Sequence, residues 1–323
     1  MLSPFLRLAL LLSATLAAPA LAQPISPDQL RRHIDILAHD ALEGRFPGSV
    51  GEQMTTKYIS NEMKAIGLEP GGNKGTWFHE VKLPVPGKPA SRFPSNNVIG
   101  RLRGSGKTGE SVVFLAHWDH VGICGHPSAK DRICNGAIDN ASGVASMLEI
   151  ARVLAKGPRP VRDILFIATT GEEMGLLGAA AYAAKPTVPL DSIVAALNLD
   201  TVAIAPRGRP VSVIGRGKVA ALDALVEETV LEQGRSMDRD RDVDAFAQRQ
   251  DGFAFVRKGV PAIDIGGAFS SMKDVRAYME GPYHQPGDNP GPHIELGGAA
   301  EDADLHVLLA RKLADPARYQ RPR

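Results

Sequence analysis

An alternation of strand-like and helix-like segments after residue 110 is the feature that most constrains the fold of this chain. Short apolar runs typical of buried strands cover residues 111–116, 163–169 and 193–199. Between them, apolar residues recur at helical spacing over 142–154 and 174–184. This alternation favours a mainly parallel sheet with helices on both faces. We therefore predict an α/β fold, a three-layer sandwich around a mixed, mainly parallel sheet.

The segments on either side extend this pattern. Residues 26–68 have helical spacing interrupted near residue 45, which predicts two helices around a turn. Residues 70–94 are rich in Gly and Pro, with one strand-like run at 78–83. Further strands are predicted at 211–214 and 261–265, and further helices at 219–233 and 301–313. With 44% hydrophobic residues the chain can build a sizeable core, and we expect a single domain over residues 23–323.

The first 22 residues have the features of a secretory signal peptide. Arg7 precedes an apolar stretch over 8–16, and a small-x-small tripeptide follows at 20–22. We expect cleavage after Ala22 and a periplasmic or secreted protein that begins at Gln23. No cysteine stands at that point to carry a lipid, and no later stretch reaches the roughly 18 apolar residues of a membrane helix. The mature form is therefore expected to have no membrane anchor.

Charge and cysteine content narrow the classes of partner. Basic and acidic residues nearly cancel, 37 against 36, so neither a nucleic-acid partner nor a charged membrane surface is expected. Cys124 and Cys134 lie in a Gly/Pro-containing loop, and in an oxidising compartment such a pair favours a disulfide. Metal ligation is the alternative, although the pair lacks the further Cys or His of a structural zinc site.

Polar residues that can bind metal follow the predicted strands. His117 and Asp119 come directly after the first strand, and residues two apart on an extended chain project to the same side. Asp139 lies in a loop of small residues that opens the next helix. Each has an ordinary explanation when taken alone, a polar strand end for the pair and a helix N-cap for Asp139.

Three more clusters have comparable positions. Glu172 and Glu173 follow the strand at 163–169, Asp200 comes at the end of the next strand, and His284 lies in a Pro/Gly loop. Solvated loops or an acidic first helical turn would also explain each of them. In open sheets of this kind, however, ligands bind beyond the carboxyl ends of the strands. The joint placement of all five clusters therefore favours a built site.

The clusters together supply a set of metal ligands, namely His117, Asp139, Glu173, Asp200 and His284. Imidazole nitrogens and carboxylate oxygens suit zinc, although cobalt or manganese can occupy similar sites. Glu172 is left over from this set and is available as a general base.

The sequence resembles the M28 family of zinc aminopeptidases from about residue 26 to residue 293. The segments that carry the resemblance are 117–122, 135–143, 170–173, 198–200 and 283–284. It implies an enzyme that binds two zinc ions per chain and removes N-terminal residues from peptides with a free N-terminus.

The same resemblance implies a role for each ligand. Asp139 would bridge the two zinc ions. Glu173 and His284 would complete one site, and His117 and Asp200 would complete the other.

The remaining roles also follow from the resemblance. Glu172 matches the catalytic base, and Asp119 matches the carboxylate that orients the His117 side of the centre. The peptide bond between Asp139 and Asn140 is expected to be cis.

Some features depart from the family or leave alternatives open. Many members carry Ser-Asp-His or Ser-Asp-Gln where this chain has Gln250, Asp251 and Gly252, which affects the expected lining of the substrate pocket. Residues 81–98 are too few for the protease-associated insert of larger relatives. Two alternatives share the fold: a glutaminyl cyclase that uses a single zinc, and a peptide-binding relative without metal chemistry. Of the other histidines, His120 is expected near the site but outside the ligand set.

Overall fold

The structure is a computed structural model that describes residues 23–322. Its α-helices are α1 (Pro27–Leu37), α2 (Val50–Ile66), α3 (Ser142–Lys156), α4 (Leu177–Ala184), α5 (Ala220–Glu232), α6 (Gly252–Val256), α7 (Met272–Glu280) and α8 (Leu296–Leu313). Its strands are β1 (Glu69–Pro70), β2 (Phe78–Val85), β3 (Lys88–Leu102), β4 (Ser111–His117), β5 (Gly122–Ile123), β6 (Ile133–Cys134), β7 (Asp163–Thr169), β8 (Ile193–Asn198), β9 (Ser212–Ile214) and β10 (Ala262–Gly266). The predicted signal peptide, residues 1–22, lies outside the described residues. Among the described helices, none combines the length and apolarity that crossing a membrane requires.

The central sheet has the predicted mixed, mainly parallel character. Eight of the described strands form it, in the order β1-β3-β7-β4-β8-β10-β9, with β2 paired to β3. The four central strands β7, β4, β8 and β10 run parallel. The outer strands pair in antiparallel fashion. The predicted fold class is therefore confirmed.

Each face of the sheet contacts its own layer of helices. Successive side chains of a strand point to opposite faces, and β4 is buried along its whole length. Its Phe114 joins the larger core cluster with side chains of α1, α3 and α8. Its Val113 and Leu115 join a second cluster with side chains of α4 and α6. Burial of apolar side chains on both faces thus stabilises the three layers.

The sequence prediction was wrong for the segment between α2 and β4. It expected one short strand at 78–83, whereas β2 and β3 form a long antiparallel hairpin. From Val98 onward, β3 also pairs with β7 in the main sheet. The first half of β3 contains Pro94 and pairs only with β2. Proline is tolerated in a strand that has one unpaired edge. The Gly and Pro content of this segment therefore did not prevent it from forming a strand, although it was the reason for expecting a loop.

Two helix starts also differ from the prediction, and one of them affects the site. α8 begins at Leu296 instead of 301, and α4 begins at Leu177 instead of 174. The residues before α4 form a turn closed by hydrogen bonds from Gly175 N and Leu176 N to Glu172 O, at 2.8 and 2.9 Å. Glu172 is therefore presented by a loop between β7 and α4.

Candidate metal centre

The predicted ligands meet at the edge of the sheet where the parallel strands β4, β7 and β8 end. His117 is the last residue of β4, Glu173 follows β7, and Asp200 follows β8. Asp139 lies in the turn before α3, and His284 lies in the loop after α7. Because parallel strands share one carboxyl edge, the fold brings together five residues that are far apart in sequence.

One group of ligands surrounds the first oxygen of Asp139. His117 Nε2 lies 3.2 Å from Asp139 Oδ1 and 3.5 Å from Asp200 Oδ1. The three residues offer ligand atoms that all lie within 4.8 Å of one another. This spacing is suitable for a single metal ion.

A second group surrounds the other oxygen of the same carboxylate. His284 Nε2 lies 3.2 Å from Asp139 Oδ2 and 2.9 Å from Glu173 Oε2. Asp139 therefore presents one oxygen to each group, which is the arrangement needed to bridge two ions.

Two imidazole nitrogens of the predicted ligands have no hydrogen-bond partner within residues 23–322. They are the buried Nε2 atoms of His117 and His284, which lie close to carboxylate oxygens without hydrogen-bond geometry. Buried polar atoms without a partner are rare in folded proteins. Imidazole and carboxylate groups are the ligands that zinc takes at catalytic sites. The residues present therefore fit a metal centre.

The carboxylates of the centre also shift the pKa values of its members. Burial acts to lower the pKa of His117, but the surrounding carboxylates, Glu172 foremost, raise it well above its usual value. Burial raises the pKa of Glu172 well above its usual range. It likewise raises the pKa of Asp119 to about 7. The buried carboxylates of the centre together favour a bound cation at this position.

Asn140 fixes the turn that carries Asp139. The Asp139–Asn140 peptide bond is cis, as the resemblance implies. Asn140 Nδ2 donates to Leu199 O at 2.9 Å, and Asn140 Oδ1 accepts from Thr201 N at 3.3 Å. Since these two residues flank Asp200, the contacts hold the Asp139 turn in register with the Asp200 segment.

Asp119 connects His117 with the loop of Glu172. The contact at 3.1 Å from His117 Nδ1 is to the main-chain oxygen of Asp119, while the Asp119 carboxylate lies 3.9 Å from the same nitrogen. Its Oδ1 accepts a hydrogen bond from Glu172 N at 3.2 Å. Asp119 thus orients the imidazole through its backbone and positions the Glu172 loop through its side chain.

Residues 97–305 match the profile of peptidase family M28. The match covers more than half of the chain and includes every candidate ligand. This chain belongs to peptidase family M28.

Similar proteins agree with this placement of the M28 chain. A probable zinc metalloprotease of Leptosphaeria maculans is 32% identical over 151 residues, which are 45% of this chain and 33% of that protein. BSAP, a zinc aminopeptidase from Bacillus subtilis, superposes with a TM-score of 0.66 at 17% identity, over 92% of this chain and 97% of that one. A glutaminyl cyclase from Porphyromonas gingivalis has a TM-score of 0.70 at 18% identity, over 89% and 98%.

These likenesses differ in what they establish for the M28 chain. The chain spans a third or less of the length of curated relatives that it matches. The solved structures, at such low identity, establish the fold alone.

His120 lies near the M28 centre, as predicted, and it contacts a candidate ligand directly. Its Nδ1 is 2.7 Å from Glu173 Oε1, and its ring centroid is 5.3 Å from that of His284. His120 also offers a ligand atom within 4.8 Å of those of Asp139, Glu173 and His284. Its position three residues after His117, beyond the same strand, is the signal that could have indicated this.

Asp288 lies four residues after His284, and the sequence assigned it no role. Its Oδ1 accepts from Ile138 N at 2.9 Å, and its Oδ2 accepts from Asp139 N at 3.0 Å. The hydroxyl of Tyr278 donates to the same Oδ2 at 3.0 Å. Asp288 is fully buried and links the loop of His284 to the turn of Asp139, a contact that no local pattern indicates.

Arg45 is a second buried positioning group. It is 1% exposed, and Arg45 Nε donates to Trp118 O at 2.8 Å. Its other nitrogens donate to Leu37 O at 2.7 Å and to Gly136 O at 3.0 Å. Burial lowers its pKa to about 10. The guanidinium thus joins the loop after β4 to the turn before α3.

The predicted disulfide is present beside the centre. Cys124 and Cys134 are bonded, with their Cα atoms 5.8 Å apart, at the end of the hairpin formed by β5 and β6. Their sulfur atoms lie 3.4 and 3.9 Å from His284 O. The disulfide therefore packs against the backbone of a candidate ligand.

Proposed function

We propose that this M28 chain is a zinc-dependent aminopeptidase that hydrolyses the N-terminal peptide bond of peptides with a free N-terminus. The observation that carries the proposal is the pair of ligand groups that share Asp139. His117 Nε2 lies 3.2 Å from one of its oxygens, and His284 Nε2 lies 3.2 Å from the other.

We assign two zinc ions to these groups. Asp139 would bridge them, with His117 and Asp200 completing one site and Glu173 and His284 completing the other. Zinc bound there would lower the pKa of a coordinated water and polarise the scissile carbonyl.

Glu172 is proposed as the general base. It lies in the loop held by the Asp119 carboxylate, next to both ligand groups. In the hydrolysis, Glu172 takes a proton from the attacking water as the new C–O bond forms. It then gives that proton to the leaving nitrogen as the C–N bond breaks, which releases an amino acid and a peptide shortened by one residue.

A pocket adjoins the candidate metal centre, and we assign recognition of the free N-terminus to its acidic end. Asp139, Glu172 and Asp200 all line that end. A protonated or metal-bound α-amine is favoured there, because buried carboxylates stabilise positive charge. An N-acetylated terminus would lack the positive charge of a protonated amine and the available nitrogen lone pair that a metal would bind.

We also propose that the protein is exported. The signal peptide proposed for residues 1–22 would direct export, and we propose that the exported part, residues 23–323, is a single domain. The Cys124–Cys134 disulfide supports export, because disulfides are typical of an oxidising compartment.

The test is hydrolysis of a panel of aminoacyl substrates, with free or N-acetylated amines, by the purified mature protein. We expect turnover confined to free amines, loss of turnover after chelation, and recovery with zinc to about two ions per chain by metal analysis. Release of ammonia from Gln-peptides with no amino acid released would instead favour the glutaminyl cyclase. No conversion by a zinc-loaded protein would favour the non-catalytic relative.

Glu172→Gln tests the general base. We expect this variant to bind zinc as the parent does and to lose about 100- to 10,000-fold in kcat. Glu80→Gln, on an exposed residue far from the centre in sequence, is the matched control. Activity of Glu172→Gln equal to that of the control would exclude Glu172 as the base.

A further inference from the structure

A narrow pocket adjoins the candidate metal centre and continues away from it. Asp139, Asp200 and the proposed base Glu172 line its acidic part, and apolar side chains form much of the remaining wall. Phe246, Phe269 and Met279 are among the residues that form this wall. The rings of Phe246 and Phe269 lie 5.2 Å apart, centroid to centroid. A side chain that enters from the metal centre would therefore pass along an aromatic surface.

Arg249 is the only basic residue among the described residues that line this pocket. Its guanidinium carbon lies 5.6 Å from the centroid of the Phe246 ring, so that the cation rests on the aromatic wall. Arg249 is exposed. Among the described residues, no carboxylate forms an ion pair with it, although many other arginines of the chain do pair.

The space in the pocket is suitable for one side chain. The cavity volume is about 40 Å³. About 10–15 Å³ of cavity volume measured in this way is enough for one water molecule. The pocket therefore has room for roughly three waters. That is comparable to a side chain with a few heavy atoms.

We propose that Arg249 is a specificity-determining residue that binds a carboxylate of the substrate. This rests on the proposed aminopeptidase function, in which the α-amine lies at the acidic end of the pocket. An acidic N-terminal residue would place its methylene groups along Phe246 and its carboxylate at Arg249. The C-terminal carboxylate of a dipeptide is the other source of the same chemistry.

A guanidinium and a carboxylate form charge-assisted hydrogen bonds with planar, two-point geometry. An uncharged amide of the same shape cannot form them with comparable strength. The comparison between Glu and Gln substrates therefore isolates the charge, because the two side chains have nearly equal size.

The first experiment measures kcat/KM for Glu, Gln and Leu substrates that carry the same uncharged leaving group. The enzymes are the parent, Arg249→Met, which keeps most of the apolar stem, and Arg257→Met, which removes an exposed arginine outside the pocket. We expect the Glu/Gln ratio of kcat/KM to fall about tenfold in Arg249→Met and to stay at the parent value in Arg257→Met. An equal Glu/Gln ratio in all three enzymes would overturn a role for Arg249 in binding a side-chain carboxylate.

A second arm distinguishes the source of the carboxylate. The same enzymes are compared on Ala-Ala and on its C-terminal amide. A loss in Arg249→Met confined to Ala-Ala assigns Arg249 to the C-terminal carboxylate, and a loss confined to Glu substrates assigns it to the side chain. No selective loss in either arm overturns the proposal.

A binding measurement separates this proposal from the proposed function. Calorimetry on the zinc-loaded protein compares free glutamate with free glutamine and requires no turnover. Tighter binding of glutamate that is lost in Arg249→Met supports the role of Arg249 even if no peptide is cleaved. Equal binding of the two amino acids by the parent and by Arg249→Met counts against a role for Arg249 in binding a side-chain carboxylate, whether or not peptides are hydrolysed.

Discussion

Asp288 connects the two loops of the candidate metal centre through main-chain hydrogen bonds. Its carboxylate accepts from the backbone N–H groups of Ile138 and Asp139, and it lies four residues after His284 in the same loop. Groups that orient metal ligands in this way influence metal affinity nearly as much as the ligands do. We infer that Asp288 positions Asp139 relative to His284.

Replacement of Asp288 with Asn is expected to weaken zinc binding. The amide could accept only one of the two backbone N–H groups, and its own NH₂ would face the other. We expect zinc affinity about 10- to 100-fold lower, measured by competition with a chelator of known affinity. Asp191→Asn, on an exposed residue of a 3₁₀ turn, serves as the control.

Thermal unfolding of the same variants separates positioning from general stability. Tyr278→Phe, which removes only the hydroxyl that donates to Asp288, is expected to have a smaller effect in the same direction. A variant Asp288→Asn that unfolds earlier but binds zinc as tightly as the parent would contradict the positioning role.

Among the elements, the β5–β6 hairpin supports the loop of His284. The disulfide closes this hairpin, and both sulfur atoms contact the main-chain oxygen of His284. The 3₁₀ turn Asp40–Arg45 also packs here, since a Cβ on Gly44 would lie only 2.5 Å from Cys134 O. Gly44 has a φ of 65°, so this close approach requires glycine in both respects.

The double variant Cys124→Ser, Cys134→Ser tests the contribution of the hairpin. Loss of a disulfide that closes a loop of this length is expected to lower the free energy of unfolding by about 3 kcal/mol, measured by urea denaturation. Zinc affinity is expected to fall as well, because the His284 backbone loses a fixed neighbour. Unchanged stability and unchanged zinc affinity would show that the hairpin does not support the centre.

At the scale of the whole molecule, stability is linked to pH through His306 on α8. His306 is fully buried, and its Nδ1 lies 2.8 Å from Asp302 O. Its ring centroid is 6.1 Å from that of Phe114 in the sheet. Burial lowers its pKa to about 4. The folded state therefore favours the neutral imidazole over the charged form.

The sign of the pH dependence follows from this depressed pKa. An unfolded histidine has a pKa of about 6.5, so the stabilising contribution is complete above that value and is lost as the pH falls toward 4. From the two pKa values, the linkage relation gives a loss of about 2 kcal/mol between pH 7.5 and pH 5.

The measurement is the unfolding free energy at pH 7.5 and pH 5 for the parent, His306→Gln and the exposed control His126→Gln. We expect the pH-dependent loss to be about 2 kcal/mol smaller in His306→Gln than in the other two. Equal pH dependence in all three would show that His306 does not account for the acid sensitivity of the fold.

The fold class, and the placement of the candidate ligands at one edge of the sheet, could be predicted from the sequence alone. The apolar runs at β4, β7 and β8 and the helical spacing of α3 are local patterns, and they determine a mainly parallel sheet. Parallel strands share a carboxyl edge, so side chains that follow different strands, such as His117 and Asp200, can be assigned to one site before any distance is known.

Tertiary structure decided the rest, because it depends on contacts between distant residues. The long strand β3 exists because it pairs with β2 and β7, which outweighs its local proline and glycine content. Asp288, Arg45 and His120 gained their positions from partners far along the chain or across the centre. Local periodicity carries no information about such partners, whereas burial makes each of those hydrogen bonds costly to lose.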